Sequence, residues 1–372
     1  METGGVERGT VDIAQALTNA GWNSLVASSG GIMVREVERG GGKHISLPVD
    51  SKNPLVMTRN IGRIARLVRR YDVDILHVRS RAPAWSTLAA ARRTNVPFVT
   101  TFHGNYGASN TVKRWYNSVM ARGDRVIAIS EFISEQVCSR YGADPAKVRN
   151  IPRGVDMGLF DPAAVSAQRV IQLAEQWRLP DDARVVMLPG RLTRWKGQGV
   201  LIEAIALLED RTGLRCILVG SDQGRTGYVH DLEKQIVRRN MQDIVQIAGD
   251  CRDMAAAFML ADVVVSTSVE AEAFGRVIAE AQAMGRPVIA TDHGAARETV
   301  AEKKTGWLVP PGDASALAVA LREALSLDAA TRDALAKRAI ENVRSDYTKE
   351  LMCNRTLAVY EEVLAEKQGG NA

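Results

Sequence analysis

The chain has 372 residues, too many for one ordinary domain, and its 46% hydrophobic and 24% charged residues are those of a soluble globular protein. No apolar run approaches the ~18–20 residues that span a bilayer. Residues 1–10 (METGGVERGT) lack the apolar core of a secretory leader, and four scattered cysteines without CxxC spacing read as reduced thiols, so the expectation is a cytoplasmic protein with neither disulfide framework nor zinc site.

The net charge of +5 is uneven: residues 1–165 hold 22 Lys and Arg against 14 Asp and Glu, and residues 166–372 hold 26 against 29. A basic first half points to an acidic partner, whether nucleic acid, an anionic membrane surface or a phosphorylated glycolipid.

Taken in order, the chain opens on a glycine-rich turn, Thr3-Gly4-Gly5, leading into a helix with Val6, Val11, Ala14 and Leu17 on one face. In a nucleotide-binding α/β domain such a turn follows a strand, and Met1 and Glu2 are too short to make one. Either the true start lies upstream of this Met, the favoured reading, or the first domain lacks its first, central strand. Strands are then expected at 22–28, 44–47, 74–78, 97–102, 125–129 and 148–151. Helices fall between them at 32–39, 60–70, 84–93, 112–122 and from 131 to 141. The helix at 60–70 carries an arginine-rich face, and the helix at 112–122 contains Lys113-Arg114-Trp115-Tyr116.

Residues 157–183 read as a boundary holding one helix, near 164–176. The alternation then restarts, with strands at 183–188, 216–219, 244–247, 263–266, 288–291 and 306–309. Helices are expected at 200–209, 228–240, 254–260, 295–301, 314–325 and 330–344, with a last one over about 347–367. Alternating strand and helix, twice, means two Rossmann-like, doubly wound parallel sheets facing a cleft, with ligands beyond the C-terminal ends of the strands. The expected division is a first domain over 1–165, a second over 166–345, and a last helix over 346–372.

The chemistry gathers after strands. Glu270–Thr291 reads EAEAFGRVIAEAQAMGRPVIAT, with Glu272 and Glu280 eight apart around Phe274-Gly275-Arg276. A glycine at a helix N-terminus offers free N–H groups and a positive dipole end to a phosphate. The two carboxylates, about 12 Å apart along a helix axis, suit the hydroxyls of two sugars. The plain alternative is an amphipathic helix with two solvated glutamates. Gly190, Arg191 and Lys196 share a strand-to-helix loop suited to a diphosphate, or to two ordinary surface charges. Gly4 and Gly5 would add backbone N–H groups from the other domain. His103 ends a strand and is the only one of five histidines so placed; a neutral imidazole there would hydrogen-bond a sugar or an attacking hydroxyl. Arg153 and Glu131 are acceptor-side candidates, Arg153 equally suited to pairing locally. Asp72-Val73-Asp74 has the look of a metal-binding DxD but falls where a helix gives way to a strand, at the wrong edge of the sheet, so no metal is expected.

These motifs resemble the GT-B-fold retaining glycosyltransferases of family 4, over nearly the whole chain. The glutamate pair with its FG and trailing GRPVIAT matches their E-x7-E signature. GRLTRWKG matches their donor-phosphate loop, and Thr101-Phe102-His103-Gly104 their histidine position. The resemblance implies that Glu272 contacts donor-sugar hydroxyls, that Phe274, Gly275 and Arg276 present backbone amides to sugar and phosphate, and that Glu280 binds the nucleotide ribose. It implies that Arg191 and Lys196 neutralise the leaving diphosphate and that His103 positions the transferred sugar. It further implies that 1–165 is the acceptor-side domain, 166–345 the nucleotide-sugar domain, and that the helix over 346–372 crosses back to the first. The donor would be a nucleotide-diphosphate sugar, the sugar a hexose, the acceptor a glycan or glycolipid of the lipopolysaccharide or envelope type, and no cofactor or metal would be needed. No second carboxylate is placed as a nucleophile, which favours front-face attack.

Three rivals are weaker. A nicotinamide oxidoreductase needs GxGxxG after a first strand and an acid some 20 residues on, and neither is present. A non-catalytic sugar-nucleotide-binding paralogue would have lost Glu280, Lys196 or His103. A nucleic-acid-binding protein would show a recognition motif. Peripheral docking on the inner face of the cell membrane through the 59–70 and 113–116 segments is a separate expectation.

Overall fold

The computed structural model describes Met1, residues 4–106 and residues 110–369. The chain forms two compact units, Met1–Gly154 with Lys349–Ala372, and Val155–Thr348.

The first unit holds β1 (Leu25–Ser28), β2 (Lys43–Ser46), β3 (Leu76–Val78), β4 (Phe98–Phe102), β5 (Arg125–Ala128) and β6 (Val148–Asn150). Every pairing is parallel, but they fall into two pieces, β1-β2 and β3-β4-β5-β6. In a doubly wound sheet the second and third strands lie to one side of the first and the fourth onward to the other. Here β1 and β2 correspond to one arm and β3 to β6 to the other. Among the described residues no strand stands at the place of the first, as the bare Gly4-Gly5 turn led one to expect. Thr3 of that turn lies outside the described residues. Gly4, extended at φ −173°, caps the helix Gly5–Asn19.

β4 is buried along its whole length, which is why FVTTF lacks the alternation of a half-exposed strand. The last helix, Lys349–Gly369, sets Met352, Val359, Tyr360 and Val363 against Ile13 of the first helix and Val99, Ile127 and Ile151 of the sheet. Arg125 and Arg149 fix that helix by gripping Glu362, Arg125 Nε at 3.0 Å and Arg149 Nε at 3.1 Å.

The second unit is one six-stranded parallel sheet of β7 (Arg184–Pro189), β8 (Leu214–Val219), β9 (Val245–Gly249), β10 (Val263–Ser266), β11 (Val288–Thr291) and β12 (Gly306–Val309), in the order β12-β11-β10-β7-β8-β9. This is the complete doubly wound order. Its switch point, where the winding reverses and a crevice opens beyond the strand ends, lies between β7 and β10. Val186, Leu188, Cys216, Leu218, Val263 and Val265 are buried, with Leu201, Ile202 and Ile205 of the helix Gln198–Ala206 packed on them.

Element ends moved for local reasons. The helix expected from 60 begins at Pro54, where the Asn53 side chain accepts from Leu55 N and proline takes the first turn. The strand expected at 22–28 begins only at Leu25. The helix at 112–122 is α-helical over Thr111–Asn117 and tightens to a 3-10 turn over Ser118–Ala121.

Candidate active site

In the second unit the loops after β7 and β10 meet at the switch point. Lys196 Nζ donates to Glu272 Oε1 at 2.7 Å, and the two side chains are only 12% and 17% exposed. Ser266 Oγ donates to the same oxygen at 3.2 Å, and Ser268 Oγ does so as well. Oε1 thus takes three donors from the protein, while Oε2 accepts no hydrogen bond from the described residues. Burial raises the pKa of Glu272, but the charge and hydrogen bond of Lys196, with the two serines, outweigh it and hold the carboxyl below its ordinary value. The result is a fixed carboxylate with one oxygen anchored and one left to receive hydroxyls.

The backbone around the pair is tightly specified. Gly197 sits at φ +71°, and a Cβ there would lie 2.0 Å from the Thr267 carbonyl oxygen, so only glycine lets the Lys196 loop seat against the end of β10. Thr267 Oγ1 ties the two loops by donating to the carbonyls of Lys196 and Gly197 at 3.1 and 2.9 Å. Gly294, at φ +59° after β11, closes on the backbone of Glu272, where an added Cβ would meet its carbonyl oxygen at 2.5 Å. Ala295 N donates to that oxygen at 3.1 Å.

Gly275, at φ +78°, caps the helix Arg276–Ala283. Phe274 is buried and packs against Tyr347 at 5.8 Å. Within the helix Arg276 Nε donates to Glu280 Oε1 at 2.7 Å, and Glu280 is 7% exposed. Arg191 is exposed on the β7 loop, with Trp195 between it and Lys196: its guanidinium lies 5.9 Å, and the ammonium 4.5 Å, from that ring's centre. Gly190, Arg191, Lys196, Glu272, Phe274, Gly275, Arg276 and Glu280 therefore all fall on the loops after β7 and β10 or on the helix that the latter leads into.

The first unit collects a different set. His103 follows β4, and Arg153 Nη1 donates to its Nδ1 at 3.2 Å. That nitrogen must be the acceptor, so any ring proton is on Nε2. Burial, then Arg79, Arg153 and His77, push the His103 pKa well down, and the ring is neutral. Arg153 also donates to the Gly5 carbonyl. The Glu7 carboxylate already sits over Gly4, since a Cβ on that glycine would lie 2.4 Å from Glu7 Oε2. Glu131 starts the helix after β5 and accepts from Asn150 Nδ2 at 2.8 Å. Asp72 ends the helix Pro54–Tyr71 in the left-handed region and Asp74 precedes β3, the helix-to-strand junction expected of them. His103 does not stand alone in its placement: His293 follows β11 in the same way, and neither of its ring nitrogens finds a hydrogen-bond partner among the described residues.

The family model for Glycosyltransferase Family 4 matches residues 3–159, and that for Glycosyl transferases group 1 matches residues 171–345. A D-inositol 3-phosphate glycosyltransferase of Jonesia denitrificans is 30% identical over 94% of this chain and 86% of its own. The chain belongs to glycosyltransferase family 4. A crystal structure of a glycosyltransferase from Rickettsia africae is 36% identical with a TM-score of 0.91, covering 98% of this chain and 97% of that one. WcaL of Escherichia coli, named as a colanic acid biosynthesis glycosyltransferase, is 30% identical over 83% of this chain and 74% of its own. The two parallel-sheet units are thus those of a GT-B glycosyltransferase, an enzyme class that draws on nucleotide sugars.

Sequence reasoning passed over Ser266, Ser268, Trp195 and Gly294. The serines flank a strand end and read as loop polarity. The tryptophan was a loop residue between two cations, and the glycine lies 22 residues from the glutamate it closes on.

Proposed function

We propose that this glycosyltransferase moves a hexose-type sugar from a nucleotide-diphosphate sugar to a glycan or glycolipid of the cell envelope, with retention at the anomeric carbon and without a metal. The observation that carries the reading is Glu272, held ionised by Lys196 and two serines, with Oε2 accepting from no donor among the described residues. Oε2 accepts hydroxyls of the donor sugar. Lys196 and Arg191 bind the diphosphate, the N–H groups at Phe274, Gly275 and Arg276 add hydrogen bonds to it, and Glu280 takes the ribose. In the first unit neutral His103 donates a hydrogen bond from Nε2 without adding charge, and Arg153 serves the acceptor. In the step itself the bond between C1 and the phosphate oxygen breaks, the acceptor oxygen bonds to C1 on the same face, and the departing phosphate takes the acceptor proton. The envelope setting is drawn from WcaL and from the charge of the first half. The inositol phosphate named for the Jonesia relative is a competing acceptor of the same enzyme class.

The test is incubation of the full chain with UDP-, GDP- and ADP-sugars, with and without candidate acceptors, and proton NMR of the anomeric signal in the product. Turnover of one donor with retained configuration supports the reading. Inverted product, or a trapped covalent glycosyl–enzyme adduct, overturns the mechanism.

Membrane docking belongs to the same reading. Trp115 is 58% and Val112 74% exposed on the helix Thr111–Asn117. Trp115 stacks on Trp85 at 4.6 Å, with Arg122 lying 5.0 Å from the Trp85 ring centre. An exposed aromatic among arginines suits an anionic lipid surface. Among the described residues no helix is long and apolar enough to cross a membrane.

A further inference from the structure

A second hollow of the second unit lies apart from the loops that hold Glu272. It is a groove of about 550 Å³ between the helix Gln198–Ala206, the helix Thr226–Arg238 and the residues after β12, Gly312 and Ala314. That size falls within the ~300–1,000 Å³ of small-molecule sites. Arg191, Lys196, Glu272 and Glu280 are not among its walls, and Val200, Leu232 and Ala314 give it an apolar back. Five charged side chains line it: Arg194, Glu203, Asp231, Lys234 and Arg238. Both carboxylates are already neutralised. Glu203 pairs with Arg239 and accepts from Gln235 Nε2 at 2.6 Å, and Asp231 pairs with Arg194. Lys234 and Arg238 make no hydrogen bond or ion pair among the described residues. Arg238 acts on Glu203 only over longer range, well behind the hydrogen bond from Arg239. The two cations stand four residues apart on one helix, so their Cβ atoms are about 6 Å apart on one face.

Two unpaired cations one helical turn apart, beside an apolar wall and with the neighbouring acids already paired, suit a single anionic group on a small body. We propose that this groove is an effector site for a small phosphorylated molecule and that its occupancy weakens binding of the donor nucleotide. The phosphate rests on Lys234 and Arg238, and the body covers Val200, Leu232 and Ala314. The link to the donor runs through one loop. Arg194, on the groove wall, shares a 3-10 turn with Lys196. Its ion pair with Asp231 is 75% and 47% exposed and therefore weak, so an entering phosphate competes for Arg194. A second path starts at Tyr228, also on the wall. Its hydroxyl donates to Gln198 Oε1 at 3.1 Å, and the fully buried Gln198 donates from Nε2 to the Arg191 carbonyl at 2.9 Å. Both ligands are anions drawing on cations of the same loop, Arg194 for the effector and Arg191 and Lys196 for the diphosphate. Each therefore opposes the other, by the same factor in both directions. The linkage rests on the glycosyltransferase reading above; the groove itself does not.

The test is calorimetric titration of the full chain with glucose 6-phosphate and, in a parallel arm, with AMP, at matched ionic strength and with glucose as the uncharged control. Saturable binding of at least one of the two phosphate compounds, and none of glucose, is expected. The double variant Lys234→Gln with Arg238→Gln, both at exposed positions, is expected to unfold like the wild type and to bind that compound about tenfold more weakly or worse. Lys196→Met alters the donor loop but leaves both groove cations, and it is expected to keep the binding. Saturation with UDP, GDP or ADP, the one that binds the wild type, is expected to weaken the phosphate compound by about fivefold or more. Binding of neither compound to the wild type overturns the proposal, as does equal binding by the double variant or by glucose. Loss in Lys196→Met with full binding in the double variant also overturns it, because the anion would then sit in the donor site. An affinity that the nucleotide leaves unchanged overturns the linkage. Failure of every nucleotide to bind the wild type sinks the glycosyltransferase reading, whereas failure of both phosphate compounds while a nucleotide binds sinks only the groove.

Discussion

Replacing Lys196 by methionine removes a charge from Glu272 and keeps most of the volume. Severing a fully buried pair costs about 3–5 kcal/mol. Here the partners are 12% and 17% exposed, and Ser266 and Ser268 still hold Oε1, which places the loss nearer 2–3 kcal/mol. The pH dependence carries the sharper signature. In the wild type the folded pKa of Glu272 lies below its ordinary 4.5. Its contribution is therefore complete above the unfolded value and lost as pH falls through the folded one. Without Lys196 the burial that opposes ionisation is no longer outweighed, the folded pKa rises, and the gain in stability on going from about pH 3 to pH 6 shrinks. Neutralising both partners, with Lys196→Met and Glu272→Gln together, should restore part of the stability lost in Lys196→Met alone. Urea unfolding at several pH values measures all three. Additive losses, or an unchanged pH slope in Lys196→Met, would refute the claim that this pair is a buried, mutually dependent unit.

Other changes report on the remaining parts. Gly197→Ala forces a Cβ onto the Thr267 carbonyl at a positive φ, and a loss of about 2 kcal/mol or more is expected in chemical unfolding together with loss of donor binding. Glu280→Ala removes the nearly buried partner of Arg276, so it should cost about 1–2 kcal/mol in unfolding and weaken nucleotide by about tenfold to a hundredfold, checked by calorimetric titration with the nucleotide alone. The His103 ring should show no titration by NMR between about pH 6 and pH 8, since burial and three neighbouring cationic or basic groups hold its pKa well down. Trp115→Ala, which loses only the stacking on Trp85, should cost about 1 kcal/mol or less in unfolding and reduce flotation with acidic vesicles at low salt; equal flotation would remove this helix from the membrane account.

Much of the second unit is legible in the sequence because its strands are short apolar runs ended by glycine, as in RVVMLPG and CILVG. The strand and helix periods alternate there without interruption. Arg191 follows one of those runs directly, and Lys196 and Glu272 lie on the loops that follow β7 and β10, so their place beyond the strand ends can be read from the sequence. What could not be read is the wiring between loops that lie far apart in the chain. Nothing near Glu272 announces that Gly294 closes on its backbone, or that three donors share one of its oxygens. The first unit is harder still. Arg79 stands in HVRSR as one arginine among many, and its bearing on His103 depends on which strand ends lie side by side. The two-piece sheet was foreshadowed only by a glycine turn with no strand before it.

The most direct measurement is a crystal structure of the full chain with its donor nucleotide. The account predicts a diphosphate within hydrogen-bond distance of Lys196 Nζ, beside Arg191, and ribose hydroxyls on the Glu280 carboxylate. A nucleotide seated away from the β7 and β10 loops, with Lys196 still closed on Glu272 and no contact to Glu280, would contradict it.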